Sequence, residues 1–333
     1  MSAADYAAAT EVAAVFDRSH RTRLIVSGRA PGKMLNGVLT GTLPEPPVEL
    51  GAAWGGRSTY HAVLTPKGKM VTDLWVMLRG DEEAAGYLLD VPVAGREGLL
   101  ALFAKVLPPR FASVRDESAE TAMISVVGPH AAGLLSRLVF DGRISAEDLG
   151  ALSEGEWRAS PGPIEGPVVT RTAEVLPDAY SVLGEAEVVV SLRQRLSEEG
   201  ARPAGLGVWS TLRVEAGRPT FGTDMDEDTI PIEAGIADRA IDHAKGCYTG
   251  QEVIVRIRDR GHVNRNLVSL DLGDVPTPAH GTELLAADGS GKVAGRITSA
   301  VQSPRRGGVL ALAYVARGAS SVLLDGREIS IPT

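Results

Sequence analysis

A chain of 333 residues exceeds what one hydrophobic core ordinarily organises, so two or three packed units are expected. With 44% hydrophobic and 23% charged residues it has the make-up of a folded globular protein, which excludes a disordered chain. A net charge of −8 argues against an extended nucleic-acid partner, and the single cysteine, Cys247, excludes an internal disulfide and points to a reducing, cytoplasmic setting.

No run reaches the ~20 apolar residues that span a bilayer, so no membrane partner is expected, and no basic segment precedes an apolar leader at the N-terminus. An Ala-rich helical lead is followed by a strand at 22–27 and a helix at 31–39 that opens on Pro31. Runs at 60–64 and 74–78 flank Pro66, Lys67 and Gly68, the chemistry of a turn between antiparallel strands. A strand at 87–91 precedes a helix at 97–106 that stops before Pro108 and Pro109. The order then repeats, with a strand at 122–127, a helix at 130–139, a strand at 186–191 and a helix at 192–199. Between them, 153–167 is rich in Gly, Pro and Ser and reads as a connecting loop.

Beyond His262 the texture becomes short β-rich runs at 267–272, 282–285, 293–298, 309–314 and 322–324, which suits a small barrel. Asp325 and Gly326 form a two-residue hairpin signal before 328–331. The expected fold is therefore α+β. Two αβ sandwich units cover 1–116 and 117–261, and a C-terminal β-barrel covers 262–333.

Several motifs fail on inspection. GRAPGKM (28–34) has one residue too few for a phosphate loop, and Met34 stands where the magnesium-binding hydroxyl belongs. Gly205 and Gly207 lack the third glycine of a dinucleotide fingerprint, no GxSxG elbow occurs, and the six histidines have no ligand spacing.

Two segments carry information. In KGCYTGQE (245–252), Gly246 and Gly250 allow a sharp bend that presents Cys247, and Lys245 with Arg256, Arg258, Arg260 and Arg265 would favour its thiolate if they lie near. The competing reading is an inert, small apolar cysteine and a solvated cationic loop. In LRVEAGRPTFGTDMDEDTIPIEAG (212–235), Glu215 is read as the end of an apolar strand, where a carboxylate can accept from a planar donor pair. The alternative is a solvent-facing glutamate, and the acids Asp224, Asp226, Glu227 and Asp228 read as a solubilising loop.

These strings, together with VSGRAPGKMLNGVLT (26–40) and LTPKGKMVTDLWV (64–76), resemble the YgfZ-type folate-binding proteins, relatives of the aminomethyltransferase (T-protein) of the glycine cleavage system. KGCYTGQE matches the YgfZ branch and the 212–235 string matches both. The resemblance implies two ferredoxin-like sandwiches and a barrel around a central cavity holding tetrahydrofolate or a derivative. It places Glu215 on the pterin and Tyr60 beside it, with Arg213, Lys245 and Arg256 as further cofactor contacts. The adjacent acid pair of the aminomethyltransferases falls on Thr72 and Asp73, so Asp73 alone remains to handle a proton. The branch implies an accessory factor for assembly or repair of iron–sulfur clusters in client enzymes, with Cys247 as the motif thiol that would ligate iron transiently, accept a one-carbon adduct or form a mixed disulfide. The alternatives are a folate-dependent aminomethyl- or methyltransferase and a folate-storing module without chemistry.

Overall fold

The computed structural model describes residues 2–51, 53–80, 86–160 and 166–332. In chain order the elements are α1 (Ala3–Glu11), β1 (Ala14–Asp17), β2 (Thr22–Ser27), α2 (Pro31–Asn36), β3 (Val48–Leu50), β4 (Ala53–Arg57), β5 (Thr59–Leu64), β6 (Met70–Leu78) and β7 (Tyr87–Val91). They continue with α3 (Arg96–Val106), β8 (Ser113–Asp116), β9 (Thr121–Val127), α4 (Ala131–Phe140), α5 (Ala146–Gly150), β10 (Glu156–Ala159), β11 (Val168–Thr172), β12 (Ala179–Glu185) and α6 (Ala186–Glu198). The remainder are β13 (Arg202–Ala204), α7 (Leu206–Glu215), α8 (Ala237–Ala240), α9 (Gln251–Arg260), β14 (Arg265–Gly273), β15 (Glu283–Ala286), β16 (Val293–Ser303), β17 (Gly308–Ala316), β18 (Ser321–Leu324) and β19 (Arg327–Ser330).

The strands form three sheets: an eight-stranded one in the order β13-β1-β9-β12-β11-β10-β4-β3, a five-stranded one in the order β5-β6-β7-β2-β8, and a six-stranded one in the order β14-β17-β16-β15-β18-β19. One face of the large sheet packs Ile124, Val126 and Val182 against Leu134 and Leu135 of α4 and Val189, Leu192 and Leu196 of α6. One face of the five-stranded sheet packs Leu24, Leu74, Val76 and Leu89 against Leu99 and Phe103 of α3. Their other faces meet through Ile25, Met77 and Leu88 on one side and Trp157, Ala159 and Val168 on the other. The result is a helix, sheet, sheet, helix sandwich with an α+β architecture, beside which the C-terminal antiparallel sheet curls around its own core of Leu270, Leu284, Ile297, Ala311 and Val322.

Local sequence accounts for the joins. Gly68 at φ +74° closes the β5–β6 turn, and Asp325 and Gly326 at φ 49° and 81° close the β18–β19 hairpin in the left-handed geometry that a two-residue turn needs. Strand alternation in β6 sends Thr72 and Leu74 to the α3 face and Asp73, Trp75 and Met77 to the seam between the sheets.

Four expectations are corrected. Residues 186–191 form the first turns of α6 rather than a strand: Val189 is buried at helical spacing from Leu192 and Leu196, while Val188 and Val190 face outward. The 153–167 connector contains β10, which pairs with β4 and β11, and its residues 161–165 lie outside the described set. The first half of the cationic 256–265 stretch, through Arg260, is the end of α9, with only Ile254 of that helix buried, and Arg265 opens β14. The units drawn at 1–116 and 117–261 also exchange chain: β1, β3 and β4 join the large sheet, while Phe221, Met225, Ala234, Tyr248 and Ile254 pack on Leu64 and Met70 of the five-stranded one.

Candidate functional site

The two sheets and the curled C-terminal sheet leave a cleft between them. Its mouth, about 1300 Å³ of empty space, is walled by Arg18, His20 and Arg21 after β1, Trp209 and Arg213 of α7, the 220–223 turn, and residues 298–301 of β16. Inward lies a polar cavity that shares Arg18, Arg21, Trp209 and Arg213 and adds Tyr60, Asp73, Trp75, Glu174, Arg218 and Arg239. Beyond Trp75 and Glu174 lies an apolar space between the sheets, lined by Met77, Leu88, Met123, Val168 and Leu183. These adjoining spaces share lining residues, with arginines prominent toward the mouth and apolar side chains between the sheets.

The polar cavity is built on rigid backbone. Tyr60 of β5 and Asp73 of β6 sit on paired strands, and the Tyr60 hydroxyl donates to Asp73 Oδ2 at 2.6 Å. Asp73 is 7% exposed, and its Oδ1 has no hydrogen-bond partner. Burial raises the Asp73 carboxyl above the ordinary carboxylate range, while the Tyr60 bond and the Arg21 charge hold the rise back. Burial and the adjacent carboxylate push the Tyr60 phenol well up, so it stays a donor. Tyr60 also stacks near Trp75, with centroids 5.2 Å apart, and carries the Arg239 guanidinium 4.8 Å from its ring centre.

Across the cavity, Glu174 sits in the turn between β11 and β12. Burial alone would raise its carboxyl, but Arg18 and Arg21 outweigh burial and hold it at about 2. Arg18 Nη2 donates to Glu174 Oε2 at 3.1 Å, and the guanidinium lies 3.8 Å over the Trp209 ring. Arg18 Nε and Nη1 are buried without partners. Arg21 Nε donates to Asp90 Oδ1 at 2.6 Å; burial works against its charge, yet Asp90 and Glu174 raise it above its ordinary value.

Of the residues expected from sequence, Tyr60, Asp73 and Arg213 line the cleft and the others do not. Arg213 is committed to protein: its Nη1 donates to Asp224 Oδ2 at 2.6 Å and its Nη2 to Ser299 Oγ at 2.9 Å. Asp224, expected in a solubilising loop, is 2% exposed and also accepts from Thr298 and Ser299, joining α7 to β16. Glu215 ends a helix, not a strand. Its carboxylate accepts from Tyr6 Oη at 3.0 and 2.8 Å and from Ser303 Oγ, which ties α1 to the C-terminal sheet away from the cleft walls. Lys245 Nζ donates to the carbonyls of Leu39 and Gly41 at 2.8 and 2.6 Å, and burial lowers its pKa to about 8. Cys247 is a free, exposed thiol outside the residues lining the cleft, and Arg256 is exposed on α9.

Sequence reasoning missed Arg18, Arg21 and Glu174. The available signals were the cationic run RSHRTR directly before an apolar strand and a lone acid between Ala173 and Val175. Among the described residues, no group of three or more His, Cys, Asp or Glu is arranged to hold a metal ion, and no helix is long and apolar enough to cross a membrane.

The fold is that of a mixed α+β protein with an internal cleft set among three sheets. The chain belongs to the glycine cleavage T-protein family: residues 1–245 match the GCVT N-terminal domain and residues 265–333 the glycine cleavage T-protein C-terminal barrel domain. It is 33% identical over 331 residues to an aminomethyltransferase of Rubrobacter xylanophilus, covering 98% of this chain and 83% of that protein. An aminomethyltransferase of Moorella thermoacetica is 31% identical, with 96% and 82% covered. The crystal structure of glycine cleavage system aminomethyltransferase T from Bartonella henselae shares the fold at a TM-score of 0.80 and 20% identity, covering 99% of this chain and 88% of that one.

Proposed function

We propose that this chain binds a reduced folate, tetrahydrofolate or a derivative, in the cleft and transfers an aminomethyl or methyl unit, with Asp73 exchanging the proton. The observation that carries the reading is Asp73 Oδ1, a buried carboxylate oxygen with no protein partner on the wall of the polar cavity. Thr72, which stands where the aminomethyltransferases have an acid, faces α3 and the turn at Gly95, on the far side of the strand. Its hydroxyl therefore takes nothing from the cleft, and the acid that the reaction needs is the one that remains. Family membership and aminomethyltransferase relatives support this reading over an accessory role.

A bound tetrahydrofolate would supply the nitrogens, N5 of the ring and N10 beside it, that take up the carbon as ammonia and the carrier thiol leave. The protein supplies the rest. Asp73, its carboxyl raised above the ordinary range by burial and held by Tyr60, is the group on this wall that can exchange a proton with the ligand. Trp75, on the same wall of the polar cavity as Asp73, gives a flat ring a face to lie against. The test is tetrahydrofolate-dependent ammonia release from an aminomethylated lipoyl carrier. Turnover at enzyme-like rates is expected; tight tetrahydrofolate binding without turnover would leave a storage module.

A second reading rests on one observation, the exposed Cys247 thiol within KGCYTGQE. It makes the chain a YgfZ-type accessory factor for iron–sulfur client enzymes, in which the thiol meets its partner at the surface rather than in the cleft. Cys247→Ala would then lower aconitase-type and radical iron–sulfur activities in cells while leaving tetrahydrofolate affinity unchanged. Unimpaired client activity would remove this reading.

A further inference from the structure

Buried polar atoms without partners show where a ligand must supply them. Among the described residues the polar cavity holds such atoms of both signs: the acceptor Asp73 Oδ1, and the donors Arg18 Nε and Nη1. Both side chains are nearly sealed, Asp73 at 7% and Arg18 at 4% exposure. Neither is free to turn away. Asp73 is pinned by Tyr60 through Oδ2, and Arg18 is pinned by Glu174 through Nη2 and laid flat on Trp209.

We propose that Arg18 is a specificity-determining residue that reads a hydrogen-bond acceptor on the ligand ring, so that the cleft takes 4-oxo pterins and rejects their 4-amino counterparts. The inference rests on the folate reading and adds to it the oxygen that must be present. A 2-amino-4-oxo edge presents a carbonyl acceptor, which matches a buried guanidinium with donors still free. A 2,4-diamino edge replaces that carbonyl with an amine, so an N–H donor meets an N–H donor and Arg18 stays buried and unpaired. A site whose buried donors are left unmatched discriminates strongly, here by an expected factor of about 10 to 100.

The experiment is titration calorimetry of the full chain with tetrahydrofolate and with its 2,4-diamino analogue, at mildly alkaline pH where the analogue ring is neutral. The natural protein should prefer the 4-oxo ligand by that factor. Arg18→Met keeps an apolar stem on Trp209 and removes the donors; it should weaken the 4-oxo ligand and bring the two affinities within about threefold. The comparison of ligands on the natural protein stands alone should the variant fail to fold. Equal affinity for the two ligands on the natural protein, or an undiminished gap in Arg18→Met, would overturn the assignment while leaving the folate reading intact. Binding of neither ligand would overturn both.

Discussion

Replacing Asp73 by Asn separates what the site costs from what it does. Asp73 is 7% exposed, with one oxygen bonded to Tyr60 at 2.6 Å and the other unpartnered. A buried acceptor left unsatisfied costs about 1–3 kcal/mol, and a charge-assisted bond exceeds a neutral one by about 1 kcal/mol. Asn keeps an unpartnered group, now an amide NH2, at the Oδ1 position and loses the second quantity, so only relief of the buried charge favours it, and D73N should be more stable by roughly 1 kcal/mol where Asp73 is ionised. The sign with pH follows from the raised carboxyl, which makes the folded chain bind a proton more readily than the unfolded one. The advantage of Asn is therefore small near pH ~4, grows as pH rises through the native value, and is full above it. Urea unfolding of both proteins at about pH 4 and about pH 7.5 measures it. In the transfer assay the same variant should lose about 10²- to 10⁴-fold in rate. A D73N protein less stable than its parent at neutral pH, or one equally stabilised at both pH values, would refute the claim that burial of this charge sets the pKa.

Three further outcomes test the frame around the cleft. Glu174→Gln removes the partner of Arg18; with its side chain 26% exposed, the loss should be about 2 kcal/mol in urea unfolding at neutral pH. Because the native Glu174 value of about 2 lies below the ordinary 4.5, that contribution is complete above about pH 4.5 and disappears as pH falls through the native value. Asp224→Ala strands the Arg213 guanidinium between α7 and β16 and should cost about 3–5 kcal/mol in a denaturant midpoint series. Gly250→Ala forces a side chain at φ +84° with its Cβ 2.6 Å from the Thr65 carbonyl, and should cost about 1–3 kcal/mol by the same measurement.

Much of the fold was legible where local chemistry and tertiary packing agree. The β5–β6 turn, the β18–β19 hairpin and the β7 strand follow from turn residues and β-rich runs that the final packing also demands. Residues 186–191 misled because a β-branched run has strand propensity, whereas burial of Val189 with Leu192 and Leu196 decides for helix. Glu215 misled because its string fits a ligand-binding acid, while the helix it ends turns it toward Tyr6 and Ser303. Tyr60 and Asp73 were recognised through family resemblance. Their hydrogen bond joins the two strands of the legible β5–β6 hairpin, whereas the Arg18 to Glu174 pair, spanning 156 residues, depends on long-range packing that no local pattern encodes.

The exchange of strands between sheets makes folding a long-range affair. β1 completes its ladder only with β9 and β13, β4 only with β10, and Leu64 and Met70 gain their cover only from residues 221–254. A nascent chain released at residue 116 would therefore hold unpaired strand edges and bare apolar side chains, the state most prone to aggregate. High contact order of this kind predicts slow, all-or-none assembly, and it makes cutting the molecule into separately expressed halves a poor route to a soluble cleft.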